Sequence, residues 1–341
     1  MNYIGLDVHK RFIQVQQMDD DGALISSMNI ATCQSNLSAF LDELESSSAI
    51  CFEASGSYWW ISQLLQAHPN VAELKVVDPR RSRKLAEELS VLCGYGRAKN
   101  DRIDAEMLAE LHRRGMAPAI HLPTPEQLEM RTLNRHRIYL VQQSTRASAV
   151  IQALLCMHGV RISTEALRKE FKQQQPHLQT LPGYVRLCIT QLLEQIRLYH
   201  QQIGDCEVEL DRLLPPSHPQ IKLLISAPGV GIMVARTIIS EIFSIEHFAD
   251  PDCLISYGGL APVTAVSAGK KGVVKLNRHC NYYLKYAFMV AAHGARSYPQ
   301  YRKKYQQDVK KHGKTRAKFN LARRIIKAIY WMLTRQQPFR A

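Results

Sequence analysis

The first 90 residues limit the possible folds most tightly, because their apolar periodicity switches between about two and about 3.6 in a fixed order. Segments 3–8, 12–18 and 23–30 are apolar or alternating, and His9-Lys10-Arg11 and Asp20-Asp21-Gly22 separate them as turns, so they read as an antiparallel meander. An amphipathic helix over 36–44 follows, then a short buried strand over 49–52 that ends at Glu53. A helix over 58–67, a strand over 74–77 and a helix from Pro79 to about residue 89 complete the series. Three strands, helix, strand, helix, strand, helix is the order of an RNase H-like mixed sheet, in which the first and fourth strands lie side by side.

That arrangement gives two acids a common location. Asp7 stands near the end of the first strand and Glu53 at the end of the fourth, on neighbouring strands. After segment 91–100, which contains Gly94-Tyr95-Gly96 and no clear periodicity, comes Lys99-Asn100-Asp101-Arg102-Ile103-Asp104-Ala105. If this heptapeptide opens a helix over 103–112, Asp101 and Asp104 project from one face, where two carboxylates suit a hard cation. The plainer reading is that Asn100 or Asp101 caps the helix and Asp104 complements its dipole. Four converging carboxylates need a cation or protons to offset their repulsion, and this favours a metal-binding role for the set Asp7, Glu53, Asp101 and Asp104.

Charge is distributed unevenly along the 341 residues. Segment 1–125 has 12 Lys+Arg and 16 Asp+Glu, segment 126–215 has 11 and 9, and segment 216–341 has 21 and 5. The strongly basic last third suits a polyanionic partner, and the acidic first third suits metal ions. The eight cysteines are scattered, without Cys-x-x-Cys, so neither a zinc site nor a disulfide framework is indicated. No run of about 18 apolar residues occurs, and the first ten residues read as a strand; a soluble intracellular protein without a membrane partner is expected.

Segment 126–215 reads as a helical connector. Residues 125–158 form one long helix with Arg131, Arg135 and Arg146 available for a basic side. In 185–213, Val185, Ile189, Leu192, Ile196, Tyr199, Ile203, Cys206, Leu210 and Leu213 alternate spacings of four and three. This heptad seam serves either a dimerising coiled coil or the hairpin partner of the preceding helix. Beyond the prolines at 215, 216 and 219, Pro228-Gly229-Val230-Gly231 between apolar helices has the form of a helix-hairpin-helix turn, whose backbone N–H groups at Gly229 and Gly231 suit a phosphate; a simple tight connection needs the same glycines. Ser267 lies in a loop followed by Lys270, Lys271, Lys275 and Arg278. Helices are expected over 283–295 and 315–333, the second turning Arg323 and Arg324 outward. Between them Arg302, Lys303, Lys304, Lys310 and Lys311 interleave with Tyr298, Tyr301 and Tyr305, a composition suited to nucleic-acid backbones and unstacked bases.

These motifs together resemble the DEDD transposases of bacterial insertion sequences, family one-ten, which include the Piv-type DNA invertases. The resemblance rests on Asp7 in Ile4-Gly5-Leu6-Asp7, Glu53 in Phe52-Glu53-Ala54-Ser55-Gly56-Ser57-Tyr58, the pair in the heptapeptide, Pro228-Gly229-Val230-Gly231, and Tyr257-Gly258-Gly259-Leu260-Ala261-Pro262 with Ser267 five residues on. It implies an α/β plus α chain: a RuvC-like (RNase H-like) catalytic domain over 1–125, a coiled-coil connector over 126–215 and a mainly helical basic domain over 216–341. It further implies that the four acids bind Mg2+ or Mn2+ and that Ser267 forms a transient link to a DNA phosphate. The partners implied are element and target DNA, a noncoding guide RNA, and further copies of the chain as dimers pairing into tetramers, in a bacterial cytoplasm at the nucleoid. This chain departs from the family pattern in having Ala268 directly after the serine and His279-Cys280 before the next helix. An actin-like phosphotransferase also begins with apolar-Gly-x-Asp, but no second Gly-rich phosphate hairpin is present. A nonenzymatic nucleic-acid-binding protein would use the basic third alone.

Overall fold

The computed structural model describes residues 1–44, 46–92, 100–163, 180–265, 273–276 and 279–340. The chain divides into two compact units, Met1–Leu122 and Pro123–Ala341.

In the first unit, strands β1 (Asn2–Val8), β2 (Phe12–Met18), β3 (Leu24–Ala31), β4 (Ser48–Glu53) and β5 (Val71–Val77) form one sheet in the order β3-β2-β1-β4-β5. β1 runs antiparallel to β2 and parallel to β4, as the meander and the crossovers dictate. Helices α1 (Gln34–Asp42) and α2 (Tyr58–Ala67) bury Leu37, Leu41, Ile61 and Leu65 with Ile4, Leu6, Ile13, Val15, Ile50 and Phe52. Strand alternation assigns Gly5 and Cys51 to the other face. There α3 (Pro79–Leu92) and α4 (Asp101–Arg113) lie, and Cys51 packs with Val77 and Leu108. Contact on this face is close. A Cβ added to Gly5 would stand 1.8 Å from the Ala105 carbonyl oxygen and 2.8 Å from the Ala109 nitrogen, so α4 rests its backbone on β1. Ala105 and Ala109 are themselves fully buried, as small residues must be at such an approach.

The second unit opens with α5 (Pro125–Met157), started by a capping box between Thr124 and Gln127 with Pro125 in the first turn. α6 (Gly183–Leu213) packs along it: Val185, Ile189, Leu193 and Ile196 meet Ala147, Ile151 and Leu155. The seam is thus used as a hairpin inside one chain. Next come α7 (Pro219–Ile225), α8 (Ile232–Ile242), α9 (Pro251–Tyr257), the antiparallel pair β6 (Pro262–Ala265) and β7 (Val273–Leu276), α10 (Tyr282–Ala295) and α11 (Pro299–Arg335). The last is two helical segments meeting at Gly313, which has φ of 81°. Segments 126–215 and 216–341 share this unit: Glu241 of α8 is buried and held by both Nε and Nη2 of Arg135 at 2.8 Å, while Arg131 donates to the carbonyls of Ser240 and Glu241.

Several expectations are corrected here. Arg131 and Arg135 do not form a free basic side, because the buried Glu241 carboxylate claims them. The stretch containing Arg302 to Lys311, to which the sequence reading gave no secondary structure, is helical, with Pro299 in its first turn. Tyr301 is buried in the core and is not an exposed stacking platform. Arg323 donates to the Leu260 carbonyl at 2.6 Å and Arg324 pairs with Asp308 at 2.6 Å, so both are turned to internal partners.

The Gly5 approach predicts that Gly5→Ala, by urea denaturation of the full chain, costs about 3 kcal/mol or more, at the upper end of overpacking. Gly56→Ala, where an added Cβ meets nothing within 4 Å, leaves the midpoint nearly unchanged.

Candidate metal centre and nucleic-acid surface

Alternation along β1 and β4 carries Asp7 and Glu53 to the same face as Gly5 and Cys51, the face covered by α4. Leu6 pairs with Phe52 across the two strands, so the next residue of each is the acid. Helix α4 begins at Asp101; the Asn100 side chain accepts from the Ile103 N–H at 2.9 Å. The cap reading and the metal reading are therefore compatible: Asn100 caps, and Asp101 and Asp104 keep their carboxylates free of that duty.

Asp101 and Asp104 act on Asp7, and Asp7 and Asp104 act on Glu53. Burial is the largest influence on Asp7 and raises its carboxyl above the ordinary range; the His9 ring opposes this, while Asp104 and Asp101 add to it. Burial likewise raises Glu53, opposed by a hydrogen bond from the Ser82 hydroxyl at 2.6 Å and reinforced by Asp7 and Asp104. Half-buried Asp7 and Glu53, each raised in part by neighbouring carboxylates, are chemically suited to a divalent cation.

His9 belongs to the same cluster and was missed by sequence reasoning, which assigned it to a turn. Its Nε2 lies 3.0 Å from Asp7 Oδ2 and 3.5 Å from Asp101 Oδ2. Ligand atoms of Asp7, His9 and Asp101 all fall within 4.8 Å of one another. The available signal was the Asp-Val-His spacing, since residues i and i+2 of an extended strand share a face.

In the second unit, Gly229 has φ of +83°, and a Cβ there would stand 2.3 Å from the Ala291 carbonyl oxygen, so this glycine seats the α7–α8 turn on α10. Gly231 is exposed and precedes α8 as its N-cap. Arg302, Lys303, Lys304, Lys310 and Lys311 are all exposed along α11. Arg296, Arg302, Tyr305, Lys310 and Lys314 line a cleft of about 910 Å³ whose charged groups are all basic. Ser267, Lys270, Lys271 and Arg278 lie outside the described residues; Lys275 is in β7, in register with Val263. Among the described residues no helix is long and apolar enough to cross a membrane.

Comparison with known proteins agrees with this layout. Residues 4–158 match a family model for transposases, DEDD_Tnp_IS110, and residues 221–307 match one described as transposase IS116/IS110/IS902 family. The transposase for insertion sequence element IS1111A of Coxiella burnetii is 23% identical over 99% of this chain and 91% of its own length. A putative transposase, y4rJ, of Sinorhizobium fredii is 29% identical over 62% of this chain, an alignment that spans 56% of that relative. An insertion element IS110 protein of 43.6 kDa from Streptomyces coelicolor is 24% identical over 73% of this chain and 64% of its length.

The repulsion within the cluster predicts that Glu53→Gln, which removes a half-buried charge and keeps the Ser82 hydrogen bond, raises the unfolding free energy in EDTA by on the order of 1 kcal/mol, and the midpoint with it. Calorimetry or urea titration reads this directly, and an unchanged or lowered midpoint contradicts it.

Proposed function

Because the chain belongs to the IS110 family of transposases, we propose that it is a DNA recombinase that cuts and rejoins strands with a divalent cation and a serine nucleophile. The observation that carries this reading is geometric: Asp7 and Glu53 end neighbouring strands on the face covered by α4, and ligand atoms of Asp7, His9 and Asp101 lie within 4.8 Å of one another. In this reading the first unit is an RNase H-like catalytic domain, and the four acids hold Mg2+ or Mn2+. Bound there, such a cation would supply charge neutralisation for a phosphodiester and lower the pKa of an attacking hydroxyl.

The chain's own residues divide the remaining work. The Ser267 oxygen bonds to phosphorus as a bridging DNA oxygen leaves and takes up the serine proton; the hydroxyl of a new strand end then bonds to that phosphorus, its proton passing to the departing serine oxygen. Ser82 orients Glu53 by its hydrogen bond, and His9 contacts Asp7. Lys270, Lys271, Lys275, Arg278 and the exposed cations of α11 bind nucleic-acid phosphates, with the α7–α8 turn as a backbone phosphate contact. A noncoding RNA of the element selects the DNA sites, and copies of the chain pair as dimers into tetramers so that one serine reaches a metal site. Inversion of a DNA segment by the same chemistry, as in Piv-type invertases, is the alternative outcome.

In cells carrying the element, Asp101→Asn and Ser267→Ala are each expected to reduce excised circles or inverted junctions to background, while DNA and RNA retention by the purified variants survives. Recombination at the wild-type level by either variant overturns the mechanism.

A further inference from the structure

We propose that His9 is a nitrogen ligand of the cation at the carboxylate site, and that it shifts the site's preference from Mg2+ toward Mn2+. This rests on the reading of Asp7, Glu53, Asp101 and Asp104 as cation ligands and adds a donor to that set.

The position of Nε2 carries the inference. It faces Asp7 Oδ2 at 3.0 Å and Asp101 Oδ2 at 3.5 Å, so one ring nitrogen addresses oxygens from both the sheet and α4. The atom is shielded from solvent, and the ring acts on Asp7 both as a nearby charge and as a hydrogen-bond partner. A nitrogen that converges with carboxylate oxygens from two different elements is placed for a shared third atom, and the three candidate ligand atoms lie within 4.8 Å of one another.

The residue is also held in place before any ligand arrives. Its backbone N–H donates to the Phe12 carbonyl at 2.9 Å, its carbonyl accepts from the Thr32 hydroxyl at 2.8 Å, and its ring lies against Phe12 with centroids 4.6 Å apart. A ligand fixed from three sides needs little reordering to bind. Its chemistry then sets selectivity. Mg2+ takes oxygen ligands and sheds its water reluctantly, whereas imidazole favours first-row transition metals; Mn2+ is the one among them that carboxylate oxygens also suit.

Pulsed EPR of the full chain loaded with Mn2+ tests this without any recombination assay. The expected spectrum shows nitrogen modulation from a bound imidazole, which changes to the 15N pattern in protein grown on 15N-histidine and is absent in His9→Ala. In His9→Ala the Kd for Mn2+ rises about tenfold or more while that for Mg2+ changes little. Asp7→Asn separates the two layers of the argument. If Mn2+ binding depends on Asp7 but shows no histidine nitrogen, or if His9→Ala binds Mn2+ as tightly as wild type, the His9 assignment is overturned and the carboxylate site stands. If Asp7→Asn leaves Mn2+ binding unchanged, both fall. Should His9→Ala not fold, the Asp7-dependent 14N to 15N change in the wild-type background decides alone.

Discussion

The whole candidate centre depends on the backbone contact between Gly5 and α4. With any side chain at position 5, the helix would have to lift off the sheet by roughly the thickness of a methyl group or more, because the added carbon would overlap the Ala105 carbonyl. Asp7 is two residues from Gly5 on the same strand face, and Asp101 and Asp104 are within a turn or so of Ala105. The glycine that allows the contact and the acids that use it are therefore one device: close packing of the helix fixes the distance between carboxylates on different elements.

This arrangement explains why the cluster tolerates its own repulsion. The sheet face opposite α4 buries a continuous apolar layer, from Leu37 and Leu41 to Ile61 and Leu65, while the acids lie on the α4 side, Asp7 and Glu53 near the strand ends and Asp101 and Asp104 in the first turn of the helix. Apolar burial elsewhere holds Asp7 and Glu53 near Asp101 and Asp104, and the unfavourable term stays local. A site assembled in this way is primed for a cation, since the charge that destabilises the protein alone is the charge that attracts the ion.

Much of this was legible in the residues. The strand and helix order of the first unit follows from periodicity, and that order alone puts Asp7 beside Glu53 on neighbouring strands. His9 was not legible, because a histidine at a strand end followed by Lys10 and Arg11 looks like turn chemistry; only the three-dimensional approach to Asp101 changes its meaning. In the second unit, basic residues were easy to count but hard to orient. Whether an arginine faces solvent or a buried acid depends on the partner helix, and Glu241 of α8 lies 106 residues from the Arg135 it binds. Similarly, Tyr301 of α11 is buried in the core and Tyr305 packs partly buried against it, while Tyr298, just before the helix, is exposed. Gly229 shows a third case: a turn glycine expected for its exposed backbone is also needed for contact with α10.

The central claim is that packing of α4 on β1 gathers carboxylates from sheet and helix around one divalent cation. Anomalous diffraction from crystals soaked in Mn2+ tests it most directly. The account predicts a peak bounded by carboxylate oxygens of Asp7 on the sheet and of Asp101 or Asp104 on the helix. Bound Mn2+ located only elsewhere, with these carboxylates touching no ion, would contradict it.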